Sequence, residues 1–334
     1  MHTSPAHFLR QALSADAAPA SPFPLDSGLT AQWRAPGCLE IAPAGLAADQ
    51  DSVLLSCGVH GNETAPIEVV DTILNDLASG RLPLRCRLLA LFGNLDAMRL
   101  GERYLDYDMN RLFNGEHARH PDAREAARAA LLEREAARFF ESARGRRLHY
   151  DLHTAIRGSA FEKFAIYPFL HDRPHNRQQL GWLQSCQIEA VLLHSKPANT
   201  FSYFTSRHCQ ADAFTLELGK ARPFGQNDLA RFDGIDLALR RLLAGEDAPD
   251  AASARPLPLF RAKYDIIKRS EAFRLNLDEQ VENFTLLPDG CLIAEDGEER
   301  YVAHGGAERI LFPNPKVKPG LRAGIVVEPA KLDD

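Results

Sequence analysis

Six short apolar runs, VLLSC (53–57), CRLLALFG (86–93), HYDLHT (149–154), FAIYP (164–168), AVLLH (190–194) and AFTLELG (213–219), alternate with segments whose apolar residues recur at helical spacing. That alternation constrains the fold more than any other feature. Strands separated by helices assemble into sheets with helices packed over their faces, so the pattern predicts an α/β domain over residues 1–245, opening with an irregular stretch over 1–30. Helices are expected over 66–77, 121–143 and 226–243, the last two with charge-rich faces turned to solvent. The stretch GEDAPDAASARPLP then loses all apolar periodicity, and 246–258 reads as an exposed linker. Beyond it, short runs broken by Asp-Gly, Gly-Gly and Pro-Gly predict a smaller β-rich domain over 259–334.

The first strand-to-helix junction reads CGVHGNETAP (57–66). In sheets flanked by helices, ligands gather beyond the carboxyl ends of the strands, and His60 and Glu63 fall there. A spacing of three brings both side chains to one side of a helical turn, and an imidazole beside a carboxylate suits zinc. The competing reading gives Glu63 to the helix dipole, so a third ligand has to decide. His149, Asp151 and His153 share one face of the run LHYDLHT, and His153, nearest the carboxyl end, is the natural candidate. His149 reads instead as a core or partly exposed histidine. Glu217 lies at another strand end, before Gly219, where a carboxylate suits proton transfer to and from a zinc-activated water. In GERYLDYDMNRLF, residues Arg103, Asp108, Asn110 and Arg111 crowd one loop, and arginine forks match carboxylates or a developing oxyanion.

Bulk properties narrow the partners. Thirty-nine basic against 45 acidic residues give a net charge of −6, which leaves no nucleic-acid footprint and no attraction to an acidic membrane surface. No apolar run approaches the roughly 20 residues that span a bilayer. The N-terminus does not read as a signal peptide, and the six cysteines (38, 57, 86, 186, 209, 291) form no Cys-x-x-Cys pair, so reduced thiols in a cytoplasmic protein are expected. Cys57, three residues before His60, reads as a small buried strand residue. The expected partner is a small molecule. A homo-oligomer is compatible with the sequence, which fixes no assembly.

HGNETAP, DMNR (108–111), DLHTAIRGS (151–159), TLELGKARPFGQND (215–228) and FPNP (312–315), in that order, resemble the succinylglutamate desuccinylase and aspartoacylase family, itself similar to the zinc carboxypeptidases. The resemblance covers the chain from about residue 50 onward, and the DLHTAIRGS and LELGKARPFGQND versions are most similar to its desuccinylase branch. It implies a mixed sheet of the zinc-carboxypeptidase kind and one Zn²⁺ held by His60, Glu63 and His153. It also implies Glu217 as general base and proton shuttle, Arg103 polarising the scissile carbonyl, and Asp108 orienting His60. Asn110 and Arg111 would bind a substrate carboxylate, with Arg157 a further carboxylate partner. The implied reaction is hydrolysis of N-succinyl-L-glutamate to succinate and L-glutamate, the last step of arginine degradation by the succinyltransferase route. The alternatives are a related zinc deacylase for another N-acyl amino acid, such as N-acetylaspartate, and a non-catalytic zinc-stabilised binding protein.

Overall fold

The computed structural model describes residues 8–14, 21–47, 49–246 and 256–332. The chain enters its main sheet through three strands outside the six apolar runs: β1 (Phe23–Pro24), β2 (Thr30–Ala35) and β3 (Cys38–Ala42). The runs themselves become β4 (Ser52–Cys57), β5 (Arg87–Phe92), β6 (Arg147–Ala155), β7 (Phe164–Tyr167), β8 (Ala190–Leu193) and β9 (Asp212–Lys220). Their spatial order is β1-β2-β3-β5-β4-β6-β9-β7-β8. β4 runs parallel to β5 and β6, β6 parallel to β9, and β7 antiparallel to β9, so the sheet is mixed.

Helices cover both faces: α1 (Phe8–Leu13), α2 (Thr64–Ala78), α3 (Leu95–Leu100), α4 (Arg124–Glu141), α5 (Arg177–Ser185), α6 (Phe201–His208) and α7 (Asp233–Leu243). The pleat decides which residue meets which layer. Val53 and Leu55 of β4, Leu148 and Tyr150 of β6 and Phe214 and Leu216 of β9 pack in one core with α2, α5 and α7. Leu54, Leu89 and Leu91 face the other way, against Leu132, Phe139 and Phe140 of α4 and Phe201 of α6. On that second face β6 carries polar residues: His149, Asp151 and His153, all buried.

Three expectations need correction. The stretch 1–30 is not irregular where it is described: α1 packs Phe8 edge-on against Trp33 at 6.3 Å, and Asp71 of α2 accepts the Leu9 N–H. The charged face of α4 is not all solvated either. Glu125 and Glu135 are buried, and Arg128 donates to the carbonyls of Pro36, Phe92 and Gly93. The expected helix over 226–243 begins as a single 3₁₀ turn, Leu229–Phe232, before α7.

β10 (Leu259–Ile267) extends the same sheet by pairing parallel to β8. The remaining strands are β11 (Arg274–Leu275), β12 (Thr285–Leu286), β13 (Leu292–Asp296), β14 (Glu299–Val302), β15 (Arg309–Leu311) and β16 (Arg322–Ala330). β16, β15 and β12 follow β10 in the main sheet, whereas β11, β13 and β14 form a second sheet of three strands. Most of the expected linker, 247–255, lies outside the described residues. Among the described residues no helix is long and apolar enough to cross a membrane.

Candidate active site

β4 ends at Cys57, and Gly58, at φ +67°, turns the chain toward α2. Gly61 allows a close approach: a Cβ there would lie 2.3 Å from the Ala97 carbonyl carbon and 2.4 Å from Met98 N. The turn delivers Glu63 to the N-cap of α2, yet its side chain makes no capping hydrogen bond. The dipole reading of Glu63 therefore gives way to another. Its Oε1 faces His60 Nδ1 at 2.8 Å and accepts from Arg103 Nη1 at 2.7 Å, while Oε2 faces His153 Nδ1 at 2.8 Å and accepts the Thr154 N–H at 3.0 Å.

The far nitrogen of each imidazole is also occupied. His60 Nε2 meets Asp108 Oδ1 at 2.8 Å, and His153 Nε2 meets Asp151 Oδ2 at 3.1 Å. A carboxylate that takes the Nε2 proton directs the Nδ1 lone pair to the opposite side, which is how metal-binding histidines are oriented. Both Nδ1 atoms face Glu63, where a bound cation would take the place of a proton between ring and carboxylate. One ligand atom from each of His60, Glu63 and His153 lies within 4.8 Å of the others, and all three side chains are buried. Electrostatics favour a cation here. Burial alone would raise the Glu63 carboxyl, but His60 and His153 hold it well below the ordinary range. Burial opposes charge on His153, but Asp151 and Glu63 outweigh it and raise its pKa well above the imidazole value. Asp108 is likewise held low against burial by His60 and Arg111. Two imidazoles and one carboxylate that stabilise positive charge at a shared point match the nitrogen and oxygen donors zinc takes.

Glu217 pairs across the sheet with His153, on the same face. Its Oε2 is buried with no hydrogen-bond partner among the described residues. Burial first, and the neighbouring Glu63 charge, push its carboxyl up to about 7 against the pull of His153. A carboxyl that titrates near neutrality beside the cluster can both take and release a proton.

The loop with Arg103 and Asp108 is fixed from beneath by Glu125, which accepts backbone N–H groups of Leu105, Asp106 and Tyr107 and the side chain of Asn94. Sequence reasoning missed that role, because a glutamate in the first turn of a helix reads as a dipole partner. Asn110 Oδ1 accepts the Phe201 N–H at the start of α6. Arg111 is exposed, with Nη1 on the Asn110 carbonyl. Arg157 is engaged elsewhere: its Nη1 donates to the carbonyls of Glu279 and Val281 in the β-rich part.

Residues 49–243 match the succinylglutamate desuccinylase/aspartoacylase catalytic domain. The chain belongs to that family. Residues 255–330 match its AstE/AspA barrel-sandwich hybrid domain, which accounts for the β-rich end. A relative in Chromobacterium violaceum named succinylglutamate desuccinylase is 70% identical over 97% of both chains. The crystal structure of a succinylglutamate desuccinylase from that organism superposes at a TM-score of 0.90, with 66% identity and 99% of each chain covered. One from Vibrio parahaemolyticus also reaches 0.90, at 33% identity, covering 97% of this chain and 95% of its own.

Proposed function

We propose that this chain is a zinc-dependent amide hydrolase of the cytoplasm that converts N-succinyl-L-glutamate and water to succinate and L-glutamate, the last step of arginine degradation by the succinyltransferase route. The observation that carries the reading is the buried cluster of His60, Glu63 and His153 with Glu217 beside it, whose Oε2 has no hydrogen-bond partner among the described residues. The names of the similar proteins supply the substrate. In this reading residues 1–245 are the catalytic domain, joined through 246–258 to the β-rich domain at 259–334.

His60 Nδ1, His153 Nδ1 and the Glu63 carboxylate would hold the Zn²⁺. When bound, the ion supplies Lewis-acid polarisation of a carbonyl and lowers the pKa of water from about 15.7 toward 7. Glu217 takes the proton of the attacking water and delivers it to the leaving nitrogen of glutamate. Arg103, anchored through Nη1 on Glu63, turns its other N–H groups to the scissile carbonyl as charge develops there. Loss of one such donor typically costs around 3 kcal/mol. The substrate carries three carboxylates around one amide, which calls for fixed cations. The Asn110 NH₂ and the Arg111 guanidinium take one carboxylate. Arg157 serves as a further partner through Nε and Nη2, since Nη1 is committed to backbone carbonyls.

The test is succinate release and zinc content measured on the same sample, with initial rates compared on N-succinylglutamate and N-acetylaspartate. Activity that is lost on chelation, returns with Zn²⁺ and favours the succinyl substrate is expected. Faster turnover of N-acetylaspartate would overturn the substrate, and unfolding on chelation with no hydrolysis of either would overturn the enzyme.

A further inference from the structure

Behind His153 lies a row of buried polar side chains that the proposed reaction does not use. Asp151 Oδ2 meets His153 Nε2, and Asp151 Oδ1 accepts the Ser56 hydroxyl at 2.5 Å. Ser56 Oγ also lies 2.8 Å from His149 Nε2, and His149 Nδ1 lies 2.6 Å from Thr205 Oγ1 on α6. All five residues are buried at 1% exposure or less. Three elements are therefore tied in series: β4 through Ser56, β6 through His149 and Asp151, and α6 through Thr205.

The protons can be placed one by one. Ser56 has a single hydroxyl proton, and it goes to Asp151. Its oxygen must then accept from His149 Nε2–H. Burial holds His149 down at about 4, so the ring is neutral near pH 7 and its Nδ1 is an acceptor. Thr205 consequently turns its hydroxyl to Nδ1, the nearest of its acceptors, ahead of the carbonyls of Ser202 at 3.1 Å and Phe201 at 3.4 Å. The donors run in one direction, Thr205 to His149 to Ser56 to Asp151, and end on the carboxylate that takes the His153 Nε2 proton. Hydrogen bonds in such a chain polarise one another, and a satisfied buried network fixes a single side-chain geometry.

From this arrangement we infer that Ser56, His149 and Thr205 are positioning residues: they hold Asp151 in the one orientation that keeps His153 in the tautomer whose Nδ1 faces the metal position. The inference rests on the zinc reading above. It explains why a histidine, a serine and a threonine stand on the face that elsewhere packs Leu54, Leu89 and Leu91 against α4. A hydrophobic trio of similar size would pack as well there but would leave the Asp151 Oδ1 lone pairs buried and unpaired.

The test separates positioning from packing at the far end of the row. Thr205→Val keeps the shape and removes the hydroxyl, whereas Thr205→Ser keeps the hydroxyl and removes a methyl. Zn²⁺ affinity is measured by chelator competition, the visible spectrum of the Co²⁺-loaded protein reports ligand geometry, and the melting temperature of the metal-free protein reports packing. T205V and Ser56→Ala are expected to weaken Zn²⁺ binding by about 10-fold or more and to alter the Co²⁺ spectrum, with T205S within about twofold of the parent, following the range seen when groups behind a ligand are removed. T205S loses a buried methyl and T205V leaves His149 Nδ1 buried without its donor, so both should lower the metal-free melting temperature, while T205V and not T205S should also weaken Zn²⁺ binding. Parent-like affinity in both S56A and T205V, or equal weakening in T205S and T205V, overturns the inference and leaves the metal site standing. A parent protein that takes up no Zn²⁺ overturns the site itself and the inference with it.

Discussion

Glu217→Gln should cripple turnover and, in the metal-free protein, stabilise the fold. The Glu217 carboxyl is pushed from 4.5 up to about 7, chiefly by burial. The folded state therefore keeps a proton that the unfolded chain releases between those values. Stability is lost as pH rises through that window, and the loss is complete above about 7. A shift of about 2.5 units corresponds to about 3 kcal/mol at pH 8, and to about 1 kcal/mol at pH 5. Glutamine carries no charge and removes the penalty. With an unfolding entropy of roughly 2 cal/mol/K per residue, about 3 kcal/mol in a chain of this length raises the melting temperature by about 4 °C. Metal-stripped parent and E217Q are melted at pH 5 and pH 8, and zinc-loaded samples are assayed for succinate release. The variant should bind zinc, lose about 10²- to 10⁴-fold in turnover, and gain stability mainly at pH 8. Full turnover would remove the proton-transfer role. An equal melting gain at both pH values would show that charge is not the cause.

Three further outcomes are expected. Asp108→Ala, which strips the carboxylate from His60 Nε2, should weaken Zn²⁺ binding by about 10- to 100-fold in chelator competition, and unchanged affinity would disconnect Asp108 from the metal position. Burial and then the Arg322 charge hold His194 down at about 4, so the unfolded chain gains a proton below 6.5 that the folded state refuses, and stability drops as pH falls. Urea unfolding of parent and His194→Asn should therefore show the variant gaining about 2 kcal/mol relative to the parent between pH 7 and pH 5, and parallel pH curves would sink that account. Gly61→Ala sets a methyl against the backbone of Ala97 and Met98, which cannot swing aside, so the fold should lose more than the about 1–3 kcal/mol usual for overpacking, seen as a lower soluble yield and melting temperature, and a parent-like melting temperature would refute the close approach.

The catalytic sheet was legible because its central strands are buried on both faces and so read as continuous apolar runs. The leading strands were less so. In β2, TAQWRA, only Ala31 and Trp33 are buried, and in β3 the buried set is Cys38, Leu39 and Ile41, divided by a half-buried glutamate. Period-two alternation over five or six residues is a weak signal next to a solid run, and α1 is shorter still. The pairing of β10 with β8 could not be read at all, because a register such as Leu259 opposite Val191 leaves no local trace in either strand.

The site divides along the same physical line. His60, Glu63 and Glu217 stand at strand ends close to glycines, and His153 near the end of β6, where a polar side chain interrupts an apolar pattern and asks for a reason. Glu125, Ser56 and Thr205 offer no such contrast. Glu125 sits where a helix start tolerates any acid, and small hydroxyl residues are ordinary in strands and helices alike. Their meaning comes from what lies across the fold: three backbone N–H groups above Glu125, and Asp151 and His149 around Ser56. His149 shows why spacing alone misleads. It shares a face with His153 and has the same chemistry, yet it lies four residues back along β6, about 13 Å at strand rise, with both ring nitrogens already occupied by hydroxyls. What distinguishes the proposed ligand from its proposed support on that strand is the position of Glu63, delivered from another strand by the turn at Gly58 and Gly61. That turn is consequently where a single added methyl should undo both the fold and the metal position together.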